Sequence, residues 1–336
     1  MNLTHNAELM KSQTIGVEIE MGKISKIETA RIIGNYFNEK YGVDIEIWNA
    51  GAHNAVNVYG KPDANGNPRV WKCMDDGSSS GDWGHISCEM VTPILTYDDI
   101  PDLQEIVRRL RGAGARSGAH WNSGVHIHIG ADFDRDGGLT AKSTRNLVNL
   151  IASHERLICD AVNVSPNRAN WCRFVDPHFL REINRKKPTT KRALEILWYG
   201  HTGTVHDHYD PTRYHLLNLH AIWDKGTVEF RCFEFHNNLH AGELKSWIQM
   251  CLAMMSYAKL VNRCSPRPVE TDNPKYAMKT WLINMGLSGA EFKTCRKMLT
   301  KNLAGDTAYK IPRAHVADVD DDDVVTTDSA MWEEGM

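Results

Sequence analysis

Gly16-Val17-Glu18-Ile19-Glu20 is the stretch whose reading decides the fold. Side chains alternate faces along a strand, so Glu18 and Glu20 share one face while Ile15, Val17, Ile19 and Met21 share the other. An apolar face packed on a core leaves the two acids side by side on an open face. Like charges that close cost free energy unless a proton or a cation lies between them. Alternation alone also describes an ordinary half-buried strand with a wet acidic face. The same geometry recurs twice more, each time with metal-compatible residues, and that shifts the balance.

The second run is Gly124-Val125-His126-Ile127-His128-Ile129-Gly130, where His126 and His128 share one face and the apolar residues the other. One histidine is commonly a hydrogen-bonded core residue; two on one strand face, flanked by glycines, suit a ligand site. The third run is Gly226-Thr227-Val228-Glu229-Phe230-Arg231-Cys232, with Glu229 and Arg231 on one face. That pair is either an ion pair between neighbours or a carboxylate for a cation beside a guanidinium for a phosphate or carboxylate. Parity fails after Cys232, because Phe233 and Phe235 would join the polar face, so a bulge or strand end is expected there. Glu89 is an acid in the otherwise apolar run Cys88-Glu89-Met90-Val91, and Asp76 precedes a Gly-Ser turn.

Working outward, strands are expected at 14–21, 56–59, 69–74, 86–91, 214–222 and 226–233. Asn65-Gly66 marks a hairpin turn between the second and third of these. Helices are expected at 26–40, 99–114, 142–162, 190–198, 241–262 and 277–300, the first with Ser25 as N-cap and Glu28 completing a capping-box pattern. Hairpins without regular βα alternation argue for an α+β fold: a mostly antiparallel sheet with helices packed on its outer face. One domain over 1–303 precedes an acidic tail, 304–336, expected to be disordered around Asp318 and Asp320 to Asp323. The basic stretch from Arg185 to Arg192 reads as an exposed loop, solvated or reaching anionic phosphates.

Of 336 residues 42% are apolar, with ten Trp, ten Tyr and eight Phe, which is ample material for a core. The formal net charge of −3 gives no reason to expect a general nucleic-acid binder. No apolar run is long enough to span a membrane, and Met1 to Glu8 lacks the features of a signal peptide. Eight scattered cysteines without a C-x-x-C suggest reduced thiols and a cytoplasmic protein. Together the acids, histidines and Arg suit Mg²⁺ or Mn²⁺ and a phosphate-bearing ligand. No Walker-type loop or G-x-G-x-x-G is present, so a nucleotide would be held mainly through metals.

With these residues laid out, the chain resembles the amidoligase family of the glutamine synthetase and glutamate–cysteine ligase superfamily. The resemblance rests on seven segments in the family's order, over about residues 14–250. They are Gly16 to Glu20, Asp76-Gly77-Ser78, Glu89 to Pro93, Ser123 to His128, Ser165-Pro166-Asn167-Arg168, Arg213 to Leu219 and Gly226 to Arg231. It implies a curved antiparallel sheet of the glutamine synthetase-like catalytic type, whose open face holds ATP and two or three Mg²⁺ or Mn²⁺ ions. By resemblance, Glu20 and Glu89 would hold one metal with Asp76 near it, and Glu18, His126 and Glu229 another. Arg231 would face the transferring phosphate, His128 would contact nucleotide or substrate, and Arg168 and Arg213 would take a substrate carboxylate or phosphate. The reaction would phosphorylate a small-molecule or peptide carboxylate and let an amine displace the phosphate. A zinc-dependent hydrolase through His126 and His128, a catalytically silent metal- or nucleotide-binding protein, and a guanidino kinase are the competing readings. The loop 199–212, with His201, His206 and His208, carries no assigned role.

Overall fold

The first strand, β1 (Ile15–Gly22), follows directly from its alternation: Ile15, Val17, Ile19 and Met21 are all at most 2% exposed, on one face. Each such aliphatic side chain contributes about 1.5–3 kcal/mol when taken out of water, which fixes the register as well as the fold. The computed structural model describes residues 3–50, 54–75, 86–200, 207, 210–236 and 238–310.

The other strands are β2 (Ile47–Ala50), β3 (Ala55–Tyr59), β4 (Val70–Met74), β5 (Ser87–Val91), β6 (Val125–Gly130), β7 (Leu217–Asn218) and β8 (Thr227–Phe233). They form one eight-stranded antiparallel sheet in the order β2-β3-β4-β5-β1-β6-β8-β7, with β2 and β7 at its two edges. The fold is therefore α+β with an open sheet, as the hairpin-rich sequence implies. β1, at the centre, places Glu20 opposite Glu89 of β5 and Glu18 opposite His126 of β6. Further along, His128 of β6 lies opposite Glu229 of β8, and Glu229 opposite Asn218 of β7.

The expected parity break is a bulge. Val125 pairs with Phe233 while Ile127 pairs with Phe230, so β8 carries one extra residue around Arg231 and Cys232. The extra residue turns Phe233 to the apolar side, where it stacks on Trp247 at 5.2 Å and is fully buried.

Helices α1 (Leu3–Lys11), α2 (Lys26–Tyr41), α3 (Ile100–Gly112) and α4 (Ala141–Val162) precede α5 (Pro166–Ala169), α6 (Pro177–Lys186) and α7 (Lys191–Tyr199). α8 (Ala221–Asp224), α9 (Ala241–Leu260), α10 (Pro274–Asn284) and α11 (Lys293–Thr300) complete the set. α9 is apolar nearly all round, with Trp247, Ile248, Met250, Leu252 and Met255 buried, and such a helix belongs inside. It packs against β6 and is surrounded by α1, α3, α4 and α11, while α2 covers β3 to β5. Ser25 caps α2 by accepting from the Glu28 amide, as its sequence suggests.

Several expectations need correction. The helix anticipated over 277–300 is two helices, broken where Gly286 (φ +96°) and Gly289 (φ +78°) take the left-handed conformation. The strand anticipated over 214–222 shrinks to Leu217–Asn218, because the Asn218 side chain accepts from the His220 amide and turns the chain into α8. The basic stretch is not a free loop: Arg185 and Lys186 end α6 and pair with Glu182, and Arg192 in α7 pairs with Glu195. Residues 304–310 run back over the start of α10, where Asn273 Oδ1 accepts from the Asp306 amide. Asp76, His201, His206, His208 and the tail from residue 311 lie outside the described residues.

Candidate functional site

β1, β5, β6 and β8 deliver six of the sequence-predicted residues to one face of the sheet: Glu18, Glu20, Glu89, His126, His128 and Glu229. Among the described residues two groups are close enough to hold an ion: Glu18 with Glu89 and His126, and Glu18 with His128 and Glu229. Glu18 belongs to both. His128, expected as a nearby contact, thus joins Glu18 and Glu229 in the second group, with its Nε2 3.8 Å from Glu229 Oε1.

The contacts explain the grouping. His126 Nδ1 lies 3.1 Å from Glu18 Oε2 and 3.5 Å from Glu229 Oε1. A carboxylate can only accept, so the proton sits on Nδ1 and Nε2 keeps its lone pair. His128 Nε2 lies 3.4 Å from Glu18 Oε1, and its Nδ1 is 2.9 Å from Thr227 Oγ1. Both Nε2 atoms are buried without a hydrogen-bond partner among the described residues, and on His126 this is the lone pair a ligand would take. Three carboxylates with two imidazoles form an oxygen-rich set that fits Mg²⁺ or Mn²⁺, the imidazoles leaning toward Mn²⁺.

Glu20 stands apart. Its Oε2 accepts from the Gly124 amide at 2.5 Å and lies 3.8 Å from the Arg168 guanidinium, which leaves it outside both groups. Its Oε1 still approaches His126 Nε2 at 3.8 Å. Arg168 is held in turn by its Nε, which donates to the Arg231 carbonyl at 3.1 Å. Arg231 donates from a terminal nitrogen to Glu229 Oε1 at 2.5 Å, and Asn218 donates to the other oxygen. One nitrogen on each guanidinium, Arg168 Nη2 and Arg231 Nε, is buried with no partner among the described residues. Unsatisfied N–H donors on two adjacent guanidiniums suit an anionic oxygen. Arg213 joins this end through Tyr214, whose ring centroid lies 5.8 Å from its guanidinium and 5.9 Å from that of Arg231.

Electrostatics follow from these contacts. Burial pushes the Glu18 pKa up, but His128, His126 and Lys225 outweigh it and hold the carboxyl well below its usual range. Burial likewise opposes ionisation of Glu229, yet Arg231, His128 and His126 bring its pKa down to about 2. Burial and then Arg231 depress the pKa of His126, keeping its imidazole neutral, the form that binds a metal.

Beside this cluster lies a pocket of about 420 Å³, lined by Gly16, Glu18, Lys72, His128, Lys225 and Thr227 among others. Gly16 faces His128 in register, and its missing side chain keeps this wall open. The sequence reading missed Lys72, Lys225, Asn218, Thr227 and Tyr214. Lys72 had a signal, since it shares the polar face of β4 and lies in register with Val91, itself opposite Glu18. Thr227 had one too, sharing the polar face of β8 with Glu229 and Arg231, whereas Lys225, Asn218 and Tyr214 come from turns or from the two-residue strand β7, where alternation says nothing.

No helix among the described residues is long and apolar enough to cross a membrane. Residues 11–255, more than half of the chain, match a family model described as a putative amidoligase enzyme. No curated protein matches the chain.

Proposed function

The chain belongs to the amidoligase family, and from that premise we propose that it is an ATP-dependent ligase joining a carboxylate to an amine as an amide or isopeptide bond. The sheet is then of the glutamine synthetase-like catalytic type, with its polar face as the platform for nucleotide and substrates. The observation that carries this reading is the pairing, on one face, of two carboxylate–imidazole groups with two guanidiniums that keep unsatisfied N–H donors.

Glu18, Glu89, Glu229, His126 and His128 would hold Mg²⁺ or Mn²⁺, which supplies charge neutralisation for the phosphate oxygens of ATP. Arg231, fixed by Glu229, presents its Nε to the phosphoryl group in transfer. Arg168, wedged between the Arg231 carbonyl and Glu20, presents its open nitrogen to a substrate carboxylate or to phosphate. A carboxylate oxygen attacks the γ-phosphorus and ADP leaves. The amine then attacks the acyl phosphate, inorganic phosphate leaves, and the nitrogen loses its proton to water or to a nearby base. The sequence is chemically needed, since a free carboxylate is a poor electrophile and phosphate a good leaving group.

The test is ADP release with Mg²⁺ and ATP against pooled amino acids, polyamines and peptides, with the product identified by mass spectrometry. Glu18→Gln and Glu229→Gln should each lower turnover at least about 100-fold while the protein stays folded. Wild-type-like turnover in both variants removes the proposed site. Tightly bound zinc with no ATP affinity would replace the ligase by a hydrolase.

A further inference from the structure

Lys225 occupies a position that the ligase reading leaves unexplained. It caps the C-terminus of α8 and precedes Gly226, whose φ of +69° turns the chain into β8. From that turn its ammonium reaches back to Glu18 Oε1 at 2.9 Å. The same oxygen faces His128 Nε2 at 3.4 Å, so the ammonium sits on the carboxylate oxygen that the Glu18–His128–Glu229 group would use.

We infer that Lys225 is an exchangeable counter-ion: it neutralises Glu18 in the metal-free protein, yields that oxygen when a divalent cation binds, and then extends into the adjoining pocket. The inference rests on the divalent-cation reading above. An ammonium and a dication on one oxygen can be no more than about 5 Å apart, given contacts of 2.9 Å and about 2.1 Å. Their repulsion in a half-buried site favours departure of the ammonium, which the Glu18 oxygen holds by one hydrogen bond. Three of the cationic groups on this face differ in freedom. Arg231 is 4% exposed and pinned to Glu229, and Arg168 is 7% exposed and pinned to a backbone carbonyl. The Lys225 side chain is 37% exposed on a flexible four-carbon stem. It also lines the pocket of about 420 Å³, which gives the displaced arm room beside Lys72. There two ammoniums would meet whatever anion enters next to the cation, so that cation binding prepares the pocket for phosphate.

Calorimetric titration of Mn²⁺ alone into the full chain tests this without any turnover. Lys225→Met should bind Mn²⁺ about tenfold or more tightly than wild type, because a charged hydrogen bond no longer has to be broken. Lys72→Met, which removes an equal charge from the same pocket, should leave the affinity nearly unchanged. Acetylation of wild-type lysines, mapped by mass spectrometry, should show Lys225 becoming several-fold more reactive when Mn²⁺ is added. Equal affinity in Lys225→Met, an equal gain in Lys72→Met, or constant reactivity of Lys225 overturns the counter-ion role. Mn²⁺ binding that Glu18→Gln abolishes and Lys225→Met leaves alone overturns it while sparing the ligase site. Absence of Mn²⁺ binding in wild type removes both.

Discussion

Gly124→Ala would place a methyl carbon 2.1 Å from the Arg168 guanidinium, closer than any real contact. Arg168 has no easy retreat, because it is 7% exposed, its Nε donates to the Arg231 carbonyl, and its terminal nitrogen faces Glu20. The guanidinium must leave its slot and give up a charge-assisted hydrogen bond, worth about 1.5–3 kcal/mol. The Glu20 carboxylate then loses part of its neutralising charge, which brings the expected cost to about 2–4 kcal/mol. The sign is diagnostic, since Gly→Ala in an ordinary strand is stabilising by about 0.5–1 kcal/mol. Urea unfolding of Gly124→Ala, of Arg168→Met and of the double variant closes a cycle. If the clash is the cause, most of the penalty disappears once Arg168 is Met, giving a coupling of about 2 kcal/mol. A neutral or stabilised Gly124→Ala, or the same penalty in both backgrounds, refutes the reasoning.

Other outcomes follow from the same contacts. Glu229, with its pKa brought down from 4.5 to about 2, contributes stability that is complete above pH 4.5 and lost as pH falls toward 2. Glu229→Gln should flatten that part of the urea-midpoint profile, and an equally steep profile counts against the assignment. His154 stacks on Trp281 at 4.1 Å and burial lowers its pKa from 6.5 to about 4. The unfolded chain therefore takes up the proton first, and stability should drop by about 3 kcal/mol as pH falls from 6.5 to 4. In His154→Phe that drop should vanish, and its persistence would assign it elsewhere. Gly286→Ala forces a side chain onto a φ of +96° and against Asn6 at 2.9 Å. It should cost about 1–3 kcal/mol in thermal unfolding, and a stabilised variant contradicts the account of the α10–α11 break.

What the sequence made legible was periodic. The runs in β1, β6 and β8 announce both their strands and the face on which Glu18, His126, His128 and Glu229 meet, because the period of two is imposed by burial of the alternate residues. Even the bulge was legible, from Phe233 falling out of phase. Pairing between strands was not, and pairing decides that Glu229 lies opposite His128 and that Glu20 is drawn to Gly124 and Arg168. Lys225 was invisible because a turn, set by Gly226, aims it at Glu18 across the sheet. The span 277–300 misled for a different reason: its apolar spacing continues through Gly286 and Gly289, whose left-handed backbone ends one helix before the next begins.

The strand order has a kinetic consequence. The ladders that assemble the site join β1 to β5, β1 to β6 and β6 to β8, across separations of roughly 70 to 110 residues. None of these can form by local zipping, so closure of long loops sets the pace of folding. During synthesis the carboxylates of β1 and β5 emerge before Arg168, Lys225 and Arg231, the cations that offset them. An early sheet of β1 to β6 would hold Glu18, Glu20 and Glu89 together with no guanidinium or ammonium from these three residues. Charge repulsion then works against that half-built state until the segments that carry Arg168, Lys225 and Arg231 follow.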